Sequence, residues 1–216
     1  MRLDASAARS PRTSKYEATK ELAALLKATG FRRAGADWIL DVEDVRWELF
    51  VSLDRARDEE LDLAVTATAT TPSNTGDAEP IVVSSLSRLA RRRSGYKARL
   101  TGVDELLADA RDVLLPVIQA REGSAAVLRG YLDGVWAQAG ATHASDLGMA
   151  WQQACRLGHT TLRDEIERGV KSRSWTDEDR WTLRWYGLDI GGPYRKLPRP
   201  WWQFLSRFGS SRNRKT

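Results

Sequence analysis

Cysteine and histidine are nearly absent from this chain. Its 216 residues include one cysteine, Cys155, and two histidines, His143 and His159. A single cysteine cannot form an intrachain disulfide and is typical of a protein that stays in a reducing compartment. Zinc sites draw their ligands from several Cys and His residues, so a structural zinc site is not expected. The sequence predicts a cytoplasmic protein with no metal and no cofactor.

Long hydrophobic runs are absent as well. No apolar run approaches the roughly 18 residues that a membrane-spanning helix needs. Residues 1–15 are basic and polar, and they lack the apolar centre of a secretory signal. We therefore expect no transmembrane segment and no signal peptide.

The motifs that commonly carry catalysis or phosphate binding are also missing. Gly191 and Gly192 follow a predicted helix instead of a strand, and they lack the spacing of a phosphate-binding loop. Cys155 and His159 are four positions apart, as an activated thiolate and its base on one helix face would be. Helical geometry alone brings such neighbours together, and we expect a small buried cysteine beneath a partly exposed histidine. An enzyme is therefore not favoured, and no catalytic residue is assigned.

The first half of the sequence predicts a helix followed by an antiparallel sheet. Residues 14–28 carry an apolar helical stripe, and Gly30 follows as a left-handed C-terminal residue. Segments near residues 36–40, 45–53 and 61–69 alternate between apolar and polar residues, as strands with one buried face do. Two or three strands are not stable alone, so we expect the helix to cover their apolar face.

The rest of the sequence changes from mixed to helical patterns. Residues 81–93 begin with β-branched residues and continue with helical spacing, so both a fourth strand and a helix remain open. Residues 102–120 predict a helix that Pro116 should kink or end. Further helices are predicted near residues 124–132, 145–168 with a break at Gly158, 176–186, and a last turn at 201–208.

These patterns together predict an α+β protein. An N-terminal helix packs on an antiparallel meander of three to four strands, and a mostly helical C-terminal region follows. We divide the chain into a disordered arm (1–13), an α+β domain (14–122), a helical C-terminal region (123–209) and a basic tail (210–216).

The first half of the chain contains a helix that ends in Gly-Phe and a basic pair, an aromatic hairpin, and a helix that ends in Leu-Pro. The residues are Gly30, Phe31, Arg32, Arg33, Trp38, Trp47, Leu115 and Pro116. This arrangement resembles the bacterial domain of unknown function 4304 family. The resemblance covers about residues 15–122 and implies an α+β domain with no established activity. We expect Arg32 and Arg33 to be exposed at a corner between helix and hairpin, near acidic loop residues.

Charge is distributed unevenly along the chain. Between Asp41 and Glu79, acidic residues outnumber basic ones by more than three to one. Residues 88–99 and 195–216 contain six and seven basic residues, respectively, and no acidic one. Such runs attract acidic partners, including nucleic acid. The candidate contacts for a protein or nucleic-acid partner are Arg91, Arg92, Arg93, Lys97, Arg99, Trp201, Trp202 and Arg207.

Tryptophan is unusually frequent, with nine residues in the chain. Trp181 and Trp185 are four positions apart, and we expect them to be part of a core because each aromatic side chain buries a large area. For Trp201 and Trp202, packing on the same domain, a partner groove and a membrane surface all remain open.

Two functions from different classes fit this sequence. The first is a cytoplasmic, non-enzymatic interaction module that binds another protein in an inhibitory, immunity or accessory role. The alternative is a nucleic-acid-associated protein that uses the basic run 88–99 and the basic tail. Self-association into a homo-oligomer is a further arrangement, because the basic run can neutralise the acidic stretch of a second copy. A hydrolase or transferase would need a deep pocket lined by convergent polar groups.

Overall fold

The computed structural model describes residues 11–54, 60–70, 80–98, 102–136 and 143–191. It confirms the predicted α+β fold, with an N-terminal helix, an antiparallel sheet and a mostly helical C-terminal region. The elements in chain order are α1 (Pro11–Ala28), β1 (Arg32–Ala34), β2 (Asp37–Val42), β3 (Val45–Asp54), β4 (Glu60–Ala69), β5 (Pro80–Ser85), α2 (Leu86–Leu89), β6 (Tyr96–Lys97), α3 (Gly102–Asp109), a π-helical turn (Ala110–Leu114), α4 (Leu115–Gln119), α5 (Gly123–Leu132), α6 (His143–Leu157), α7 (Thr160–Lys171) and α8 (Asp177–Trp185).

The sheet is a meander with the strand order β1-β2-β3-β4-β5, and β6 also pairs with β4. The long central hairpin runs from the pair Val45 and Ala69 to the pair Asp54 and Glu60. The three alternating segments of the sequence are β2, β3 and β4, as predicted. Residues 81–93 contain both alternatives, because β5 ends at Ser85 and α2 begins at the next residue.

One face of the sheet forms the core. Alternate residues of β4, such as Leu61, Leu63 and Val65, are fully buried, while their neighbours on the other face are half-buried. Helix α1 packs Leu22 and Leu26 into the same core, where each is 0% exposed. Burying one such leucine stabilises the fold by about 1.5–3 kcal/mol. This core is continuous with the buried residues of the C-terminal helices.

Helix α1 ends as the sequence predicts. Gly30 has a φ of 92°, and the amide of Phe31 donates to the carbonyl of Leu26 at 3.0 Å. Phe31 is buried and closes the end of the helix. The helix begins at Pro11, inside the segment predicted to be a disordered arm, because proline is well suited to a first helical turn.

The basic pair after this helix lies at an exposed corner. Arg32 donates to the carboxylate of Asp41 at 3.0 Å, and Arg33 stacks over the ring of Trp38. Arg46 binds the same carboxylate at 2.8 Å. The Arg46 hydrogen bond, assisted by Arg32, holds the pKa of Asp41 below its usual range. The corner is therefore a structural feature of the hairpin.

Pro116 does not end its helix. The π-helical turn Ala110–Leu114 precedes it, and α4 continues to Gln119. Pro116 occupies the first turn of α4, where its missing amide hydrogen leaves no helical hydrogen bond broken. Of the two expected effects, a kink or an end, the structure excludes the end, and a π-helical distortion of the helix directly precedes the proline.

The C-terminal helices follow the predicted boundaries closely. Gly158 has a φ of 76° and separates α6 from α7, as expected. Thr176 caps α8 by accepting from the amide of Asp179 at 3.1 Å, and the two residues form a capping box. The predicted turn at 201–208 lies outside the described residues. Of the helices that the structure describes, none has the length and apolar character to cross a membrane.

Candidate interaction surface

The sheet face opposite the core carries an apolar band that we call the open face. Phe50 of β3 lies opposite Ala64 of β4, and Val83 of β5 lies opposite Thr66 of β4. Because Ala64 and Thr66 are neighbours on the same face, these side chains cross the three strands β3, β4 and β5. Phe50 and Val83 are 37% and 57% exposed. Large apolar side chains exposed on a sheet face mark a contact surface.

A cleft of about 490 Å³ lies at one end of the open face. We call it the arginine cleft, because Arg88, Arg92 and Arg93 line it together with Val83 and Asp62 of the sheet. Arg91 lies beside it with a φ of 54°, at the position after α2 where glycine is usual. The cleft therefore joins the basic run to the open face.

Three arginines of the basic run are available for a partner. Arg88, Arg91 and Arg93 are exposed, and none of them forms an ion pair within the described ranges. Of these three, sequence analysis listed only Arg91 and Arg93 as candidate contacts. Arg88 belongs to the basic run but was not among the candidate contacts. Its position on α2, which charge density does not reveal, places it in the cleft.

Arg92 is committed to contacts within the fold. Its guanidinium binds Asp109 at 2.5 Å and Glu105 at 2.8 Å, and it stacks over the ring of Tyr96. Tyr96 donates to the same Asp109 at 2.8 Å. Burial and the neighbouring Asp109 carboxylate raise the pKa of the Tyr96 hydroxyl. Arg92 therefore fixes α3 against the basic run.

The acidic stretch meets the basic run inside the molecule. Glu60 accepts from the ammonium of Lys97 at 3.3 Å and from the amide of Gly95 at 3.1 Å. Asp62 accepts from the amide and the hydroxyl of Ser87 in the first turn of α2. Part of the acidic stretch therefore pairs with the basic run of the same chain and not with a second copy. Of the other sequence candidates, Arg99, Trp201, Trp202 and Arg207 lie outside the described residues.

Cys155 and His159 have different surroundings in the structure. Cys155 is exposed, so the expectation of a buried cysteine is wrong. Partial burial of its sulfur raises the pKa of the Cys155 thiol, which opposes thiolate formation. His159 follows the break at Gly158, and its Nε2 lies 2.7 Å from the hydroxyl of Ser124.

Ser124 joins three distant parts of the chain. Its hydroxyl lies 2.5 Å from the carboxylate of Asp44, and its amide donates to the same carboxylate at 2.7 Å. Asp44 belongs to the turn between β2 and β3, and His159 precedes α7. Ser124 is 1% exposed, and its hydroxyl donates to a carboxylate, so it cannot act as a nucleophile. The three residues stabilise the junction between sheet and helices.

We expect Ser124→Ala to lower the free energy of unfolding by about 1–3 kcal/mol, because Asp44 and His159 each lose a buried hydrogen-bond partner. Urea denaturation followed by circular dichroism measures this change. The matched control is Ser172→Ala, whose exposed hydroxyl bonds only to the carbonyl of Gly169. Equal stability of the two variants would show that the junction contributes nothing.

The structure corrects the expectation that Trp181 and Trp185 belong to the core. Their rings stack with centroids 5.9 Å apart, and Trp185 is 58% exposed. Leu183 is the buried residue of α8, so the tryptophans lie on other sides of the helix. Trp181 is half-buried and Trp185 is exposed, so the pair lies at the surface of α8 instead of in the core.

Comparisons with known proteins add no further constraint. No family model matches the chain, and no curated protein or solved structure is significantly similar to it. The resemblance to the domain of unknown function 4304 family stays a prediction. Within the described ranges, no group of three or more His, Cys, Asp or Glu residues could hold a metal ion.

Proposed function

We propose that this protein is a non-enzymatic interaction module that binds another protein through the open face. The observation that carries this proposal is the exposed apolar band between Phe50 and Val83. The band ends at three arginines that form no ion pair with other described residues. A partner segment with apolar side chains and nearby carboxylates is complementary to this surface. An inhibitory, immunity or accessory role in the cytoplasm is consistent with such a module.

The charges on the surface favour a protein partner over nucleic acid. Glu48 and Asp62 lie on the open face, and Asp54 lines the arginine cleft. These carboxylates would repel a phosphate backbone, which carries a negative charge at every nucleotide. A protein segment can place its few carboxylates at the arginines alone and its apolar side chains elsewhere on the face. Surfaces that bind single-stranded nucleic acid stack successive bases on several aromatic side chains. The open face offers Phe50 for such stacking. Nucleic-acid binding through Arg88, Arg91 and Arg93 remains the alternative.

Affinity capture from an extract of the native host tests both functions. We expect the tagged protein to retain a protein partner whether or not nuclease is present. The double variant Phe50→Asp and Val83→Asp should reduce the retained partner at least about tenfold, because it places two charges in the apolar band. Gln152→Asp is the control, since Gln152 is exposed and belongs to α6 of the C-terminal region instead of the sheet.

Two outcomes would contradict the proposal. Retention that nuclease abolishes, and that weakens when Arg88, Arg91 and Arg93 are each changed to Gln, would favour the nucleic-acid alternative. Equal retention by the double variant and the Gln152→Asp control would exclude the open face as the contact. Thermal denaturation of each variant verifies that it is folded.

A further inference from the structure

A surface groove of about 520 Å³ lies along α5, away from the open face. Its walls are apolar and small, formed by Ala125 and Ala126 of α5 and by Leu162 of α7. Arg121, Glu122 and Asp133 also line the groove. Together with Arg129, these residues give the groove an apolar wall, two cationic side chains and two anionic ones.

Arg121 is poorly satisfied for a buried cation. Its side chain is 12% exposed, and its guanidinium lies over the ring of the buried Trp136 at 5.5 Å. Its Nε is buried and has no hydrogen-bond partner. The terminal nitrogens contact the carbonyl of Val117 at 3.4 Å and the carboxylate of Asp133 at 3.5 Å. Charge-assisted hydrogen bonds are normally about 2.7–2.9 Å long, so a closer oxyanion would stabilise this guanidinium.

The other charged side chains of the groove are one arginine, Arg129, and the two carboxylates of Glu122 and Asp133. Arg129 is already bound by both carboxylate oxygens of Glu165, at 2.9 and 2.7 Å. Asp133 has a side chain that is 52% exposed, and Glu122 is exposed. These two carboxylates disfavour a ligand that is only anionic, and they can bind a cationic group that accompanies it.

We propose that the groove binds a zwitterionic α-amino acid with a small apolar side chain. The ligand's carboxylate pairs with Arg121, and its ammonium group pairs with Asp133 or Glu122. The apolar side chain packs on Ala125, Ala126 and Leu162. Each part of the ligand thus meets groups of complementary chemistry that the groove already presents.

Thermal denaturation with three matched probes tests this site. L-Valine carries both charged groups, isovalerate lacks the ammonium group, and isobutylamine lacks the carboxylate. We expect L-valine to raise Tm by a few degrees in a saturable manner, because it binds only the folded state. L-Alanine should act similarly but more weakly. Each of the two half-probes should bind at least about tenfold more weakly, since each loses one charged contact.

Variants locate the effect in the groove. Arg121→Gln, and separately the double variant Glu122→Gln and Asp133→Asn, should abolish the L-valine shift. Arg111→Gln, at an exposed arginine of the π-helical turn, should leave the shift intact. Because Arg121→Gln can impair folding, Ala125→Leu provides a second test that fills the groove at an exposed position. The proposal is overturned if L-valine and L-alanine produce no shift. It is also overturned if isovalerate is as effective as L-valine, or if Ala125→Leu leaves the shift unchanged.

Discussion

Asp146→Asn should stabilise this protein at neutral pH. Asp146 lies in the first turn of α6 and is 4% exposed, and burial raises the pKa of its carboxyl from 3.8 to about 6. The titratable groups that face it are the hydroxyls of Tyr131 and Tyr186, which are neutral at this pH. Among the described residues, no cation compensates the buried, ionised carboxylate. Asparagine has nearly the same shape and carries no charge.

The size of the effect follows from the pKa shift. A rise of about 2 pKa units corresponds to at most about 3 kcal/mol, since one unit is about 1.36 kcal/mol. We expect a gain of about 1–3 kcal/mol at pH 7.5, because the asparagine amide also needs hydrogen-bond partners. Urea denaturation of both proteins measures this difference.

The pH dependence identifies the cause. A carboxyl with a raised folded-state pKa stabilises the fold fully below pH 3.8, and this contribution is lost as the pH rises through about 6. The advantage of Asp146→Asn should therefore be small below pH 4 and complete above pH 7. Asp112→Asn, at an exposed position, should change stability by less than about 0.5 kcal/mol. A less stable Asp146→Asn protein at pH 7.5 would mean that the carboxylate has a favourable partner.

Most of the fold could be predicted from the sequence, because the patterns that indicate strands and helix ends involve residues close together in the chain. The alternation in β3 and β4 determines which face is buried, and Gly30 and Gly158 mark helix ends through backbone conformation. The same reasoning could not separate β5 from α2, because a six-residue strand and a four-residue helix are adjacent and each is too short for a clear period.

The contacts of the candidate sites are not local, and sequence reasoning found them only in part. Ser124 and Asp44 are 80 residues apart, and no pattern links them. Charge density indicated the basic run but not which of its arginines form ion pairs within the fold. Arg92 is paired with Asp109, whereas Arg88 lines the cleft and can contact a partner. Phe50 did leave a signal, because it is the large apolar residue on the otherwise polar side of β3. An apolar residue on the polar face of an alternating strand is therefore a useful indicator of a contact surface.

Gly130→Ala should be strongly destabilising, although alanine normally favours a helix. A Cβ at Gly130 would lie 2.1 Å from the Nε1 atom of Trp136, which is closer than any real contact. Trp136 cannot move easily, because it is 2% exposed and its Nε1 donates to the carbonyl of Val127 at 2.7 Å. It also packs against Trp47 and Arg121. We expect a loss of about 3 kcal/mol in the free energy of unfolding, at the upper end of overpacking effects.

Gly169→Ala is the matched control, because it makes the same change in another helix with the opposite expected sign. No atom lies within 4 Å of a Cβ at Gly169 in α7. Alanine should therefore stabilise the protein by about 0.5–1 kcal/mol through helix propensity alone. Urea denaturation at pH 7.5 compares both variants with the wild type. If Gly130→Ala were as stable as Gly169→Ala, the indole of Trp136 could not occupy the space beside α5. The packing of Trp136 beneath Arg121, on which the amino-acid groove depends, would then be wrong as well.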